Sequence, residues 1–367
     1  MLVDLDYFFA QCEELRNQAL KDKPVIVCMY SGRTSDSGAV STANYIARKY
    51  GVKSGMPIYL AKKKTEETDA VFLPVDHEFY EKVSESIMNL LRGFADRFEQ
   101  VGIEEAYLDV SQRIGGDFEK ARELAQELKR KMKTQQGLTC SVGIGPNKLV
   151  AKIAADIQKP DGLTVIQPQD VEAFLAPLPV NSLLGVGRKT TEKMQTLGIN
   201  TVEELRKHDI HLLAKVFGEN SANYFHAASI GVDDEPVQEK GEPESIGRIA
   251  TLKDDTRDLK AILERIDPLC NDIHTRLLQR DLGFQSVSIA TVMTDLSVHS
   301  RSKTFETPSS DLGLLKRTAK QLFEEFLKES ELPLRRVGVK ISNFSQPQKS
   351  QKQLTTFIQT DEEQHSR

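Results

Sequence analysis

The chain has 367 residues, of which 39% are hydrophobic and 28% charged, which excludes a wholly disordered polypeptide and exceeds the size of one ordinary domain. No apolar stretch approaches the ~18 residues of a membrane span, and acids at Asp4 and Asp6 interrupt any signal-peptide core. Acids outnumber bases by 54 to 49, so a polyanionic partner must be held by local basic side chains rather than by the overall charge.

Residues 1–165 alternate short apolar strands with amphipathic helices, which is typical of an α/β unit. The predicted strands are 2–3, 24–29, 106–110 and 138–144, and the predicted helices are 42–50, 80–94, 118–133 and 148–158. Four scattered cysteines show neither metal-ligand spacing nor a disulfide framework, so an intracellular, cytoplasmic protein is expected.

The second half of the chain changes character twice. Residues 166–230 indicate short helices, and the acidic stretch 231–241 indicates a linker. A second α/β domain follows, with predicted strands at 245–252, 286–294, 299–305 and 336–344 and helices at 259–281 and 312–329. Residues 346–367 are rich in Gln, Ser and Lys, and we expect them to be disordered on their own.

Three carboxylates stand at the ends of predicted strands. Asp4 ends the first strand, and Glu104 and Glu105 precede the strand 106–110. If these strands are neighbours, the carboxylates converge and require a cation, for which Mg²⁺ is the suited hard ion. Two such ions would serve phosphoryl transfer. The alternative is that each acid is a solvated loop residue.

A second group of residues suits a triphosphate. Tyr45 and Arg48 are three apart in a helical pattern and share a face, with Thr42 one turn earlier. Lys159 stands at a helix end, before Pro160. Arg, Lys and Tyr groups presented together bind phosphate oxygens, although each alone could be an ordinary surface residue.

Four ordered motifs carry a family resemblance: residues 3–10 (VDLDYFFA), 41–48 (STANYIAR), 105–109 (EAYLD) and 152–156 (KIAAD). Together they resemble the Y-family translesion DNA polymerases of the polymerase IV and kappa branch, with the archaeal members most similar. The resemblance covers about residues 1–345.

The resemblance implies a multidomain α/β (α+β) right-hand polymerase. It would have a ferredoxin-like palm (1–9 and 76–165), small fingers (10–75), a helical thumb with a helix-hairpin-helix (166–230), a linker (231–241) and an α/β little finger (242–345). Its implied activity is template-directed, low-fidelity synthesis from deoxynucleoside triphosphates on primer–template DNA, with two Mg²⁺ ions. Nothing in the sequence requires more than a monomer, and no membrane partner is expected.

The resemblance also assigns site residues by motif position. Asp4, Glu104, Glu105 and the Leu5 carbonyl would hold the metal, with the three acids catalytic. Phe9 stands where the family has an aromatic steric gate that clashes with a 2′-hydroxyl. The implied nucleotide-binding residues are Phe8, Phe9, Thr42, Tyr45, Arg48 and Lys159, and Ala39 and Ser41 would lie over the nascent base pair.

Two departures from the family pattern bear on activity. The family usually has Ser-(Leu or Ile)-Asp-Glu where this chain has Gly102-Ile103-Glu104-Glu105, so a glutamate replaces a metal-binding aspartate. Its extra methylene displaces the carboxylate by about 1 Å, a change that can cost about a hundredfold in rate. In addition, only three residues precede Asp4, where the family usually has a longer first strand.

Two regions are predicted to hold DNA. Residues 184–189 (LGVGRK) followed by 197–199 (LGI) resemble a helix-hairpin-helix, in which Gly185, Gly187, Arg188 and Lys189 would contact phosphate, although the pattern could be a simple turn between helices. The second α/β domain opens with 245–248 (SIGR), which is similar to the start of the family's little finger. Ser245, Arg248, Arg301 and Lys303 could line a phosphate track or be ordinary strand-surface residues.

The tail carries a short motif. Residues 351–358 (QKQLTTFI) resemble a sliding-clamp binding box, in which Leu354 and Phe357 form a hydrophobic plug, Gln351 adds a hydrogen bond, and Ile358 stands where a second aromatic is usual.

Two rival functions remain at this stage: a catalytically weak relative that binds DNA and clamp, suggested by Glu104, and a nucleotidyl cyclase with a similar palm.

Overall fold

The computed structural model describes residues 1–239, 241 and 243–345. These divide into two compact units, the first formed by residues 1–30 and 38–241 and the second by residues 31–37 together with 243–345. No helix in these described ranges is long and apolar enough to cross a membrane. The clamp-box residues Gln351, Leu354, Phe357 and Ile358 lie outside the described residues.

The described chain forms strands and α-helices in the following order. The strands are β1 (Leu2–Leu5), β2 (Val25–Tyr30), β3 (Gly38–Ala43), β4 (Val71–Pro74), β5 (Arg97–Gln100), β6 (Glu105–Asp109), β7 (Cys140–Ile144), β8 (Leu163–Val165), β9 (Ser245–Thr256), β10 (Gly283–Met293), β11 (Val298–Ser309) and β12 (Leu334–Ser345). The helices are α1 (Phe8–Arg16), α2 (Tyr45–Lys49), α3 (Ile58–Lys64), α4 (His77–Arg92), α5 (Ser111–Ile114), α6 (Phe118–Lys131), α7 (Lys148–Ile157), α8 (Val171–Leu175), α9 (Arg188–Thr196), α10 (Val202–Lys207), α11 (Ile210–Phe217), α12 (Glu219–Ser229), α13 (Leu259–Leu278) and α14 (Leu312–Glu329).

A five-stranded sheet in the order β5-β6-β1-β7-β8 forms the main core of the first unit. β1 lies at its centre and is antiparallel to both β6 and β7. Val3 and Leu5 point into the core shared with α1, α4 and α6, whereas Leu2 packs with Ala151 of α7 on the opposite face. Because side chains alternate along a strand, Asp4 lies on the face that α7 covers.

A second sheet, β3-β2-β4, carries α2 and α3. The helix predicted from residue 42 begins instead at Tyr45, because β3 continues through Ala43. Asn44 caps α2: its side-chain oxygen accepts from the Ala47 amide at 3.0 Å, and its amide nitrogen donates to Glu14 at 2.8 Å. This cap fixes the start of α2, which carries Tyr45 and Arg48.

Helices α8 to α12 form a third core that also includes one side of α7. The chain then continues through residues 231–239, which we call the strap. The predicted linker is not a free spacer over this range, because the strap lies along the first unit. Its contacts there are Asn147 to the Gly231 carbonyl (2.6 Å), the Leu149 amide to Asp233 (2.9 Å), Lys148 to Glu235 (3.2 Å), Arg92 to Glu239 (2.6 Å), and Val237 against the apolar cluster of Leu2 and Tyr107.

The second unit contains an antiparallel sheet in the order β11-β10-β12-β9, and α13 and α14 share its hydrophobic core. The register places Ser288 between Ser302 and Lys340, and Lys340 opposite Gly247. These residues alternate with buried ones such as Val287 and Ile289, so they lie on the face turned away from the helices. We call this surface the open face.

Candidate active site

Strand pairing brings the predicted carboxylates together. Asp4 on β1 lies directly opposite Glu105 on β6. The Leu5 amide donates to the Glu104 carbonyl at 2.8 Å, which sets Glu104 beside the same strand end. Directly opposed residues of an antiparallel pair have Cβ atoms ~5 Å apart, so Asp4 and Glu105 can share one cation.

Two lysines supply positive charge at this carboxylate group. Lys152 of α7 lies 3.1 Å from Asp4 Oδ2 and also forms an ion pair with Glu105, and Lys159 lies 2.8 Å from Asp4 Oδ2. Burial alone would lower the pKa of Lys152, but the hydrogen bond to Glu105 and the charge of Asp4 outweigh it and raise that pKa. The ammonium groups therefore neutralise the carboxylates in this structure.

Glu104 has no such lysine partner among the ion pairs of the described residues. Partial removal from water, followed by the charges of Asp4 and Glu105, raises the pKa of Glu104. The same repulsion favours any cation that approaches this carboxylate.

Oxygen donors of this type fit Mg²⁺. Within the described residues, however, no group of three or more His, Cys, Asp or Glu side chains is already arranged to hold a metal ion. Asp4 and Glu105 are instead engaged by Lys152, and Asp4 also by Lys159.

A cavity of about 230 Å³ adjoins the carboxylates. It brings together most of the residues predicted for the metal and the nucleotide, along with three that were not predicted. Its lining residues are Asp4, Leu5, Asp6, Tyr7, Phe9, Ser41, Thr42, Tyr45, Arg48, Ser54, Glu104 and Lys159. The unpredicted members are Asp6, Tyr7 and Ser54, for which the sequence pattern offered no separate signal.

Arg48 and Tyr45 are held against one another on α2. The Arg48 guanidinium lies 4.7 Å from the centre of the Tyr45 ring, and Arg48 Nε donates to the Ala43 carbonyl at 2.9 Å. Tyr45 in turn packs edge-on against Tyr7, with ring centres 5.4 Å apart. These contacts hold Tyr45 and Arg48 in place as a cationic and aromatic part of the lining that Lys159 and Asp4 share.

Phe9 also lines the cavity, and its orientation is fixed from behind. Its ring stacks on Tyr80, with centres 4.5 Å apart and planes 16° apart, and the Tyr80 hydroxyl donates to Glu13 at 2.7 Å. Tyr80 and Glu13 belonged to no motif, although Tyr80 is one of the largest fully buried side chains.

Three residues predicted for the metal, the nucleotide or the nascent base pair do not line this cavity, namely Glu105, Phe8 and Ala39. Glu105 pairs with Asp4, which does line it. Phe8 is fully buried in the core of the five-stranded sheet, so its predicted contact with nucleotide has no support here. Ala39 lies in β3, paired with Met29 and bridged to Pro57, and also stands outside the lining residues. Ser41, its neighbour on the same strand, does reach the cavity.

The predicted hairpin residues lie at the start of α9. Gly185 has a φ of 78°, which a side chain would strain, and no side chain caps the amides at the start of the helix. Arg188 is 86% exposed. Free helix amides together with an exposed arginine suit a phosphate group.

The basic residues predicted for the second α/β domain lie on its helix side. Arg248 pairs with Asp272 of α13 at 2.6 Å, Arg301 pairs with Glu329 of α14 at 2.7 Å, and Lys303 donates to Gln321 of α14 at 3.0 Å. Ser245 lies on the opposite face of β9 from Arg248. It therefore shares the open face with the exposed bases Arg336 and Lys340. Sequence reasoning overlooked both bases, although alternation along the predicted strand 336–344 could have placed them there.

Comparison with known proteins gives matches over almost the whole chain. The sequence profile of the impB/mucB/samB family matches residues 3–156, that of its C-terminal domain matches residues 243–355, and an IMS family HHH motif matches residues 168–199. A DNA polymerase IV from Nitrosopumilus maritimus is 45% identical over 97% of this chain and 98% of its own length. DNA polymerase IV 1 from Methanosarcina mazei is 44% identical, with the same coverage of both chains.

Solved structures agree with these matches. A Y-family DNA polymerase chimera of Dbh and Dpo4 superimposes with a TM-score of 0.88 at 38% identity, covering 93% of this chain and 98% of that chain. The insertion ternary complex of Dbh DNA polymerase matches with a TM-score of 0.68 at 38% identity and the same coverage.

Proposed function

This chain belongs to the Y family of DNA polymerases, in its archaeal-like DNA polymerase IV branch, and on that basis we propose roles for the residues of its cavity. It is a template-directed DNA polymerase of low fidelity that performs translesion synthesis. Its fold comprises a ferredoxin-like palm, small fingers, a helical thumb with a helix-hairpin-helix, and an α/β little finger. Its substrates are primer–template DNA and deoxynucleoside triphosphates. The matches to the thumb motif and the C-terminal domain argue against a nucleotidyl cyclase.

We propose that Asp4, Glu104, Glu105 and the Leu5 carbonyl are the ligands of two Mg²⁺ ions. When bound, these ions would stabilise charge on the attacking and leaving oxygens of phosphoryl transfer. The observation that carries this assignment is the direct pairing of Glu105 with Asp4, which lines the same cavity as Glu104, Lys159 and Arg48.

The other cavity residues bind and select the nucleotide. Lys159, Arg48 and Tyr45 hold the triphosphate, because their cationic and hydroxyl groups line the same cavity as the carboxylates. Phe9, fixed by its stack on Tyr80, blocks a 2′-hydroxyl. The small side chain of Ser41 leaves space over the nascent base pair, which tolerates lesions and lowers discrimination.

DNA is held by two surfaces in this proposal. In the thumb, the amides of Gly187, Arg188 and Lys189 at the start of α9 bind a backbone phosphate. In the little finger, we place the phosphate track on the open face, where Arg336 and Lys340 are exposed. We also propose that the protein acts as a monomer and binds a sliding clamp through residues 351–358.

The test is single-nucleotide extension of a labelled primer–template with Mg²⁺, comparing the natural chain with Glu104→Asp. We expect the natural chain to extend the primer readily and Glu104→Asp to change the rate by less than about tenfold, because both side chains offer a carboxylate. Asp4→Asn is the control that should abolish extension. Extension that occurs only after Glu104→Asp would show that the natural chain is catalytically weak, and extension unaffected by Asp4→Asn would refute the assigned metal site.

A further inference from the structure

Asp6 is a buried carboxylate that the proposed chemistry does not use. It follows β1 directly, two residues after Asp4, and is 1% exposed. Its Oδ1 accepts from the Ser141 hydroxyl at 2.7 Å. Its Oδ2 accepts from the Thr139 hydroxyl at 2.8 Å and from the Asp161 amide at 2.8 Å. Both oxygens are therefore engaged by fixed partners from three different chain positions.

The Asp161 bond matters because of what precedes it. Residues 159–161 form a turn after α7, and Lys159 at its start reaches Asp4 at 2.8 Å. The Asp161 amide is a backbone donor, so its bond to Asp6 fixes the main chain of the turn rather than a side chain. Asp6 thus ties the turn that carries Lys159 to the strand that carries Asp4.

A second residue holds the same turn from the other side. Lys129 of α6 lies 2.5 Å from Asp161 Oδ1 and donates to the Cys140 carbonyl at 2.7 Å and the Gly162 carbonyl at 3.2 Å. Lys129 does not line the cavity. Its ammonium group therefore acts on the turn and on β7, and not on a ligand in the cavity.

We propose that Asp6 and Lys129 are positioning residues that hold the 159–161 turn so that the Lys159 ammonium group meets the triphosphate of the incoming nucleotide. This inference rests on the proposed role of Lys159 and adds two residues that act only through it. Small misplacements of a binding group are costly, since a shift of about 1 Å can reduce the rate a hundredfold.

A competing role for Asp6 is that of an additional metal ligand, since it also lines the cavity. The hydrogen bonds to both of its oxygens argue against this role, because a metal would have to replace donors that are themselves buried or part of the main chain. The two roles differ in their need for charge. A positioning acceptor tolerates an amide oxygen, whereas a metal ligand needs the carboxylate.

The experiment is steady-state single-nucleotide insertion, with KM for the nucleotide and kcat measured separately for six single variants, Asp4→Asn among them, and one double variant. Lys159→Met is the reference and should raise KM. Asp6→Ala and Lys129→Met should raise KM about tenfold while changing kcat less than about threefold. Asp6→Asn, which keeps an oxygen for the Asp161 amide, should recover most of the affinity lost in Asp6→Ala. Thr139→Val removes one bond to Asp6 but leaves the turn, so it should lower thermal stability without raising KM.

The outcomes separate the two levels of the proposal. An unchanged KM in Lys159→Met would refute the proposed role of Lys159 itself. A raised KM in Lys159→Met with an unchanged KM in Lys129→Met would overturn the inference, even if Asp6→Ala fails to fold. Loss of kcat in Asp6→Asn equal to that in Asp4→Asn would make Asp6 a metal ligand. The double variant Lys129→Met with Lys159→Met should be no worse than Lys159→Met alone, because both changes act through one group.

Discussion

At the residue scale, the Lys152 ammonium group would compete with the proposed metal for Asp4 and Glu105. It pairs with both carboxylates in this structure. Lys152→Met would leave Glu105 without its ion-pair partner and Asp4 with Lys159 alone, so we expect a lower melting temperature in the absence of metal. Because Mg²⁺ would no longer have to displace an ammonium group, we expect a larger rise in melting temperature on adding Mg²⁺. Thermal unfolding with and without Mg²⁺ measures both effects.

Lys207→Met is the matched control for Lys152→Met. Lys207 pairs with Glu203 on an exposed thumb helix, with 67% of its side chain accessible. Its removal should change neither the melting temperature nor the Mg²⁺ response appreciably. An identical Mg²⁺ response in Lys152→Met and the natural chain would show that Lys152 does not oppose metal binding.

The limits of sequence prediction at this scale are visible in two pairs of residues. Phe8 and Phe9 are adjacent aromatics, but the turn at Tyr7 and the start of α1 send Phe8 into the core and leave Phe9 beside the cavity. Strand alternation puts Asp4 on the side of α7, while Asp6 lies beyond the end of β1 and is buried by partners far along the chain. Such long-range partners leave no local pattern to detect.

At the element scale, a buried ion pair between α7 and β5 also contacts the strap. Lys148 Nζ lies 2.9 Å from Glu99, with side-chain exposures of 8% and 4%, and also contacts the exposed Glu235 of the strap. Lys148→Met would leave the Glu99 charge buried and unpaired, so we expect the free energy of unfolding to fall by about 3 kcal/mol. Glu235→Gln removes only the exposed partner and should cost under about 1 kcal/mol. Denaturant unfolding measures the free energy of unfolding of both variants. Equal losses would show that the buried pair stabilises the protein no more than the exposed contact does.

Strand boundaries show which elements the sequence could specify. The long runs β9 to β12 and the helices α13 and α14 have clear periodicity, and their predicted ranges overlap the observed ones closely. By contrast, β5 (Arg97–Gln100) is short and mostly polar. No change in residue composition marks where β3 ends and α2 begins. Their strand state depends on hydrogen bonding to neighbours, which local propensity does not reveal.

The two faces of the little-finger sheet give a further prediction. Lys340→Ala on the open face should weaken DNA binding at low salt and reduce the slope of log affinity against log salt by about 1. Arg301→Ala on the helix side should leave this slope unchanged, because Arg301 is engaged by Glu329 and lies over the Phe326 ring at 5.6 Å. Fluorescence anisotropy across a salt series measures both slopes. A reduced slope for Arg301→Ala alone would place the phosphate track where the sequence predicted it.

At the scale of the whole molecule, the net charge of −5 limits how the enzyme reaches its substrate. Long-range attraction cannot hold a chain of this charge on DNA, so retention depends on a few phosphate contacts that salt weakens. We therefore expect the enzyme to synthesise short stretches before it dissociates. A second, salt-tolerant attachment through apolar side chains would offset this weakness, and we propose that the clamp-box sequence at residues 351–358 supplies it.

Replacing Leu354 and Phe357 by Ala in the full chain tests that attachment. Buried anchors of this kind carry most of the affinity of a short motif, so we expect clamp-stimulated extension to fall more than about tenfold. Extension of a short primer–template without clamp should stay as in the natural chain, because the proposed chemistry uses neither of these side chains. Ile358→Phe should strengthen the clamp effect, since it supplies the aromatic usual at that position, and Thr355→Ala should be neutral. If the double variant keeps full clamp stimulation, the clamp must bind elsewhere on the enzyme, and the tail residues have no part in its recruitment.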